Sequence, residues 1–232
     1  VVIGGVDPSD ISAEALSQLL NTFVVSLEIS HSAVTEIADV VLPVAAVTEK
    51  AGTFLDWQGR ARTFDAAVDS LQRSDVRILN ALSEAMGAPI NLPSAAAAKR
   101  EFDSLGAWDG AKVTKPQISA SSTSRPATTG NQAILSSWRQ LIDLGTLQNG
   151  ETNLAGTARK SVVIISPNRA SAISVAEGDL VKISTDRGSI TLPAHIDSIA
   201  DDCIWIPRNS LNSQSIVALG AASEIVVTVV KA

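Results

Sequence analysis

Apolar and polar positions change rhythm about half-way along the chain. Val1 to Val6 is an apolar run that ends in Asp7-Pro8, the pattern of a buried strand followed by a turn. Ser9 or Asp10 then stands where a helix cap is needed, and Ile11, Leu16, Leu19 and Leu20 give the next helix an apolar face. Phe23–Leu27 predicts a second strand, Ser32–Ala38 a short helix, and Asp39–Pro43 a third strand stopped by its proline. Strand, helix, strand, helix, strand is the order of a parallel sheet covered by helices. Such a sheet is thin, so the rest of it is expected before Val1. A chain that opens on Val inside a strand is itself expected to be part of a longer polypeptide. Residues 44–65 read as loop and carry Gly52, Gly59, Arg60 and Arg62. Ser74 then caps a predicted helix that runs to Gly87, with Leu79, Leu82 and Met86 on one side.

From Ala111 to Gln132 the composition shifts to Ser, Thr, Pro and Gly, and Ser119–Pro126 has nothing to bury, which predicts an exposed linker. Beyond it, Ala133–Leu144 places Ile134, Leu135, Trp138, Leu141 and Ile142 at helical spacing and stops at Gly145, so a helix is predicted there. Short strands follow at Val162–Ile165, Leu180–Ser184, Ser189–Ile196, Cys203–Ile206 and Glu224–Val230. Asp186-Arg187-Gly188 reads as a hairpin loop with Gly in a left-handed position, and Glu177-Gly178-Asp179 as a tight turn. Many short strands with regular turns suggest a small barrel. The expected class is therefore α/β: a partial parallel α/β layer over 1–111, a linker over 112–132 and a β-barrel domain over 133–232.

Composition narrows the function. Of the 232 residues, 45% are hydrophobic and 18% charged, a globular balance. Aromatic content is 3% with no Tyr, so no stacking platform for single strands is visible. A net charge of −6 without a Lys/Arg cluster argues against nucleic acid as a partner. Cys203 is the one cysteine. It permits no intrachain disulfide, fits a cytosolic setting, and cannot by itself hold an Fe–S cluster. Its expected role is that of a small buried apolar residue. His31 and His195 lie far apart, which argues against a His-based zinc site. No apolar run approaches the ~20 residues of a membrane-spanning helix, and neither a signal peptide nor direct membrane insertion is expected.

Catalytic patterns are equally sparse. His31 and His195 are the only candidate bases for a nucleophilic triad, and neither adjoins a Gly-x-Ser-x-Gly elbow. No Walker-type phosphate loop exists, and Gly4-Gly5 falls short of a dinucleotide fingerprint. Asp201-Asp202 reads as a solvated turn between strands.

The informative stretch is Thr35-Glu36-Ile37-Ala38-Asp39-Val40-Val41-Leu42-Pro43, followed by Glu49-Lys50-Ala51-Gly52-Thr53 and Asp56-Trp57-Gln58-Gly59-Arg60. This resembles the molybdopterin oxidoreductase family, with its Ala-Asp-Val-Val-Leu-Pro strand, Glu-x-x-Gly-Thr and Asn-x-Glu-Gly-Arg loop. The chemistry is consistent with the pattern. Open α/β sheets place ligands at the carboxyl ends of strands. Glycines let backbone approach a large cofactor, and Arg grips phosphate in a fork. The second half resembles the family's double-psi-like barrel at Gly156-Thr157-Ala158-Arg159, Glu177–Val181 and Ser184–Gly188. Pro207–Asn212 is similar to its cofactor-facing loop, in which an Asn contacts the pterin dinucleotide.

Within the family, Glu49–Phe54 with Trp57, Leu147–Gly150 and the short barrel without long His-containing loops resemble the respiratory branch, in the peripheral arm of NADH:quinone oxidoreductases. That resemblance implies a non-catalytic structural and assembly role in a complex that passes electrons from NADH to quinone. It implies as partners the other peripheral-arm subunits and the upstream part of the same subunit, on the cytoplasmic side of the membrane. Fe–S clusters are expected upstream rather than in this segment. The alternatives are a fragment of an active molybdenum bis-pterin dinucleotide enzyme, such as a formate or nitrate enzyme, and a free-standing barrel module. The resemblance assigns Thr53, Gly59, Arg60, Arg159, Asn209 and Asn212 to a former molybdopterin cleft between the two domains. Asp56 and Gln58 stand where the family has Asn and Glu, and Ala158 breaks the Thr-Gly-Arg form, which argues that no molybdopterin dinucleotide is bound. Without one, Arg60 and Arg159 must meet a carboxylate, a carbonyl or water, and Asp56 is the expected partner of Arg60.

Overall fold

The computed structural model describes residues 1–12, 14–114, 126–221 and 223–232, so the core of the expected linker, 115–125, lies outside the described residues. Two compact units emerge: Val1–Val6 with Gln18–Ser119, and Asp7–Ser17 with Ala120–Ala232.

In the first unit β1 (Val2–Gly4), β2 (Val25–Glu28) and β3 (Val40–Pro43) pair in parallel in that order, with Val25 opposite both Val2 and Val40. The helix predicted after β1 is reduced to a 3-10 turn at Pro8–Asp10 and α1 (Ala15–Leu19). Helix α2 (Ala33–Ile37) starts in a capping box: Ser32 Oγ accepts from Thr35 N at 3.3 Å, and Thr35 Oγ1 accepts from Ser32 N at 2.8 Å. Asp39 Oδ2 accepts from Val24 N at 2.7 Å, which satisfies a backbone donor just before β2 and brings β3 alongside. Val24, Leu27, Val34, Val44 and Ala45 are the buried apolar residues here, a small core.

Residues 44–65 are not plain loop. They contain the antiparallel hairpin β4 (Gly52–Leu55) and β5 (Ala61–Phe64). Both faces of this hairpin are largely exposed, so its sequence never needed the alternation that marks a strand. Phe54 and Phe64 stack with centroids 4.7 Å apart, and a Cβ at Gly52 would stand 2.6 Å from the Phe64 ring. Helix α3 (Asp75–Ala85) has Ser74 at its N-cap position, but the Ser74 hydroxyl makes no capping bond. Leu79 and Met86 are exposed rather than part of a buried face. Helix α4 (Ala95–Ser104), capped by Ser94, completes the unit.

The second unit is a closed barrel. Its strands are β6 (Gln132–Trp138), β7 (Val163–Ile165), β8 (Leu180–Ser184), β9 (Ser189–Ile196), β10 (Cys203–Pro207) and β13 (Val226–Lys231). They run β10-β6-β13-β8-β9-β7 around the barrel, and β7 closes on β10. β6 with β10 and β7 with β9 are parallel, and the other four neighbours are antiparallel. This is the double-psi-like architecture. Short helices α5 (Thr152–Ala155), α6 (Pro167–Ala172) and α7 (Ser215–Leu219) and the small hairpin β11 (Asn209–Ser210)–β12 (Ser213–Gln214) fill the connections. Each barrel strand sends at least two residues inward at the strand period, such as Val181 and Ile183, Ile190 and Leu192, Val227 and Val229.

The predicted helix at Ala133–Leu144 is therefore a strand and a loop. Ala133, Ile134 and Leu135 are all buried, so β6 is covered on both faces and its alternation is hidden. Trp138 and Leu141, which complete the helical stripe, are exposed. Pairing with β10 and β13 on the two sides overrides the local pattern. Cys203, expected to be buried, is half-buried at the start of β10. Gly178 adopts the left-handed conformation expected of its turn, at φ +82°. Gly188 does not belong to the left-handed set. A Cβ on it would lie 2.5 Å from the Ala218 carbonyl oxygen, so close approach to α7 is what requires glycine there.

Gly188→Ala is accordingly expected to lower stability by about 1–3 kcal/mol through overpacking. Urea unfolding measures this, and a midpoint equal to that of the unchanged chain would show that α7 yields freely.

Candidate functional site

The conspicuous motif residues of the first unit turn out to build its backbone. Thr35 serves the α2 capping box, and Asp39 accepts from Val24 N ahead of β2. Glu49 Oε2 accepts from Ala46 N at 2.8 Å and holds the 3-10 turn at Val47–Glu49. The motif then runs into the β4–β5 hairpin, whose loop is Asp56–Arg60. Gly59 takes φ +78°, which the loop needs to turn back. Thr53 lies at the base of the hairpin, opposite Thr63, and lines an apolar cavity of about 670 Å³ with Phe54, Phe64, Val76 and Phe102. Gly59 and Arg60 are at the tip and do not line that cavity. Lys50 and Asp75 form an ion pair at its rim.

Arg60 is held within its own loop. Its Nε donates to Asp56 Oδ2 at 2.9 Å, and its Nη2 donates to Gln58 Oε1. Asp56 Oδ1 also accepts from the backbone N–H groups of Gln58 and Arg60, each at 2.9 Å. Those bonds, led by the Arg60 N–H, draw the Asp56 carboxyl below its usual pKa. Asp56 is thus the partner of Arg60, as the sequence suggests. The two residues of this loop that depart from the family pattern are the two whose side chains hold this guanidinium.

On the barrel, a second cavity of about 670 Å³ lies against Trp138, Arg139, Arg159, Lys160, His195 and Trp205. The Trp138 and Trp205 rings meet at 5.0 Å and 49°. Trp205 Nε1 is buried without an acceptor among the described residues. Arg159 is exposed and has no ion-pair partner among the described residues. Ser161 Oγ donates to Leu211 O at 2.6 Å, which ties the stretch after Arg159 to the turn that carries Asn212, at φ +63°. Asn209 is buried, and its Oδ1 accepts from Gln214 Nε2 at 3.4 Å within its own hairpin. It lines a separate cavity of about 10 Å³. Arg159 and Asn209 therefore serve different hollows of the barrel surface.

Sequence reasoning misses Arg139. Asp143 grips it twice, at Nε (2.6 Å) and Nη2 (3.3 Å), and Asp10 approaches Nη1 at 3.5 Å. The Asp143 hydrogen bond raises the Arg139 pKa despite partial burial. Burial pushes the Asp143 carboxyl up, but the Arg139 bond and the Gly145 N–H at 2.8 Å outweigh it and leave it lowered. The i,i+4 spacing of Arg139 and Asp143 is visible in the sequence, yet the helical stripe around it absorbs both into a predicted helix.

His195 Nδ1 lies 2.9 Å from Glu177 Oε1, while Glu177 Oε2 accepts from Ile196 N at 2.7 Å. The Glu177 hydrogen bond raises the His195 pKa, and the same bond lowers that of Glu177. This pair clamps the turn before β8 onto β9. Among the described residues no group of three His, Cys, Asp or Glu could hold a metal, and no helix is long and apolar enough to cross a membrane.

A parallel α/β layer and a closed double-psi-like barrel in one chain define a scaffold of the molybdopterin-dinucleotide-binding class. The Molybdopterin oxidoreductase model matches residues 3–85, and the Molydopterin dinucleotide binding domain model matches residues 134–225. The chain belongs to the molybdopterin oxidoreductase family. It is 45% identical over 240 aligned positions to the NADH-quinone oxidoreductase G subunit of Mycobacterium bovis, covering 96% of this chain and 30% of that protein. The corresponding G subunit of Streptomyces coelicolor is 42% identical over 197 positions, covering 82% and 23%. The chain thus spans less than a third of the length of these relatives. Acetylene hydratase from Pelobacter acetylenicus shares the fold, with a TM-score of 0.62 at 14% identity over 100% of this chain and 44% of that one.

The residues present do not fit the family's cofactor well. Arg60, the hairpin arginine of the candidate set, is already paired with a carboxylate, and the negative charge of Asp56 opposes a phosphate, while Arg159 keeps no ion-pair partner among the described residues.

The His195–Glu177 clamp makes stability depend on pH with a definite sign. The raised His195 pKa means that its contribution is complete below 6.5 and is lost as pH rises through the folded value. The lowered Glu177 pKa means that its contribution is complete above 4.5 and is lost as pH falls through the folded value. Thermal unfolding of the wild type and Glu177→Gln should therefore differ more at about pH 5.5 than at about pH 8. The Ile196 N–H bond leaves some difference at both. A Tm gap independent of pH would refute the clamp.

Proposed function

We propose that this chain is a non-catalytic structural and assembly part of a G-subunit-type protein in an NADH-quinone oxidoreductase. The carrying observation is 45% identity to such a G subunit across 96% of the chain, on a scaffold in which the hairpin arginine of the candidate cofactor set is engaged by its own loop. In this reading the segment belongs to the peripheral arm, on the cytoplasmic face of the membrane, and its partners are other peripheral-arm subunits and the rest of its own subunit. Thr53, Gly59 and Arg60 on the hairpin, and Arg159, Asn209 and Asn212 on the barrel, are remnants of a dinucleotide-binding surface. They now shape loops. If molybdopterin dinucleotide were bound, it would supply metal-centred redox chemistry, and no residue of this chain is assigned a step in it.

The test is made in the full-length parent within its complex. Metal analysis of the purified complex should find molybdenum far below one per chain. Ile183→Asp, which places a charge in the barrel core, should reduce the amount of assembled complex on native gels, while NADH oxidation per assembled complex persists. Stoichiometric molybdenum, or full assembly around a disrupted barrel, would overturn the reading.

A further inference from the structure

The segment Asp7–Ser17 leaves β1 and groups with the barrel. It is pinned there by charge. Asp10 approaches Arg139 Nη1 at 3.5 Å, and Glu14 pairs with Arg187 Nη1 in the β8–β9 loop. Its 3-10 turn packs against α7. Asp10 also lines the small cavity shared by Arg208, Asn209 and Gln214. With Asp10 in place that hollow measures about 10 Å³, scarcely enough for a single water and far too small for a phosphate.

We infer that this strap is a built-in acidic ligand: Asp10, together with Asp143, occupies the N–H edges of Arg139 and withholds them from external phosphates. This rests on the cofactor-free reading above and gives that reading a cause. Both edges of the Arg139 fork are taken, one by Asp143 in bidentate fashion and one by the strap. Asp7 adds a further unfavourable field for any approaching anion, as its Coulombic effect on Arg139 shows. Attachment of the strap and occupation of the Nη1 edge are therefore one event. A phosphate could take the Nη1 edge of Arg139 only by displacing the strap, and a strap that detached would free that edge and open the hollow beside Asn209.

Inorganic pyrophosphate is the probe, titrated calorimetrically into the wild-type chain, into Asp10→Asn/Asp143→Asn, and into the same variant carrying Arg139→Gln. Both Asp→Asn changes are isosteric, and the amide oxygen introduced at position 143 can still accept from Gly145 N. The double variant should bind pyrophosphate at least about tenfold more tightly than the wild type, and the added Arg139→Gln should abolish the gain. Amide exchange over residues 8–17 should quicken in the double variant. Equal pyrophosphate affinity in wild type and double variant, or a gain that survives Arg139→Gln, would overturn the inference. Unchanged strap exchange would do the same. None of these outcomes bears on molybdenum in the parent complex, so the two proposals fail separately.

Discussion

Closure of the barrel is the constraint on which the second unit depends. β6 near residue 132 must meet β13 near residue 228, and β10 must meet both β6 and β7, before any strand loses its free edge. An open version would expose rows of unpaired N–H and C=O groups and the inward side chains together. The interior is filled by aliphatic residues from every strand, with Leu135, Ile165, Ile183, Leu192, Ile204 and Ile206 buried almost completely. No polar side chain is needed among them. The groups of chemical interest lie outside this core, on connections such as those that carry Arg139 and Arg159 or on strand positions such as His195, and they are fixed because the strands cannot slide.

The first unit rests on a different balance. Its parallel sheet has few buried apolar residues, and Ser26, fully buried in the central strand, has a hydroxyl without an acceptor among the described residues. Local polar contacts do much of the work there. Ser32 and Thr35 cap α2, Asp39 binds the backbone ahead of β2, Glu49 binds Ala46 N, and Asn80 Oδ1 receives Leu92 N at 2.7 Å. Motif residues that look like candidates for ligand binding are thus accounted for by backbone donors that would otherwise be unsatisfied.

How much can be read from the sequence follows from how many faces of an element are buried. β8 and β9 alternate, with inward Val181, Ile183, Ile190, Leu192 and Ala194 set between mostly polar outward positions, and both are legible at Leu180–Ser184 and Ser189–Ile196. β6 is covered on both faces and mimics a helix through the chance spacing of Ile134, Trp138 and Leu141. The β4–β5 hairpin fails in the opposite way, because almost nothing in it is buried. Its residues are recognisable as a family motif but not as strands. Among site residues, the Asp56–Arg60 pair is legible because both partners lie within one short loop. Arg139 is not, because one of its acidic partners, Asp10, is 129 residues away and reaches it only through the strap.

The same contrast explains what Asp56 accomplishes. A lone carboxylate–guanidinium pair on an exposed hairpin tip contributes little, since water and salt screen it. Asp56 does more than pair. One oxygen receives two backbone N–H groups of the loop, and the other receives the Arg60 side chain. An Asn at this position, as in the family pattern, could offer one carbonyl oxygen to the backbone donors. Its other terminal atom would be an N–H₂ donor facing a guanidinium that also only donates. With Asn the loop can close while the arginine stays available to an external anion. With Asp the closing of the loop and the neutralising of Arg60 become a single arrangement. The change of one amide to a carboxylate therefore links loop geometry to charge, and the arginine persists as part of the turn rather than as a grip for phosphate.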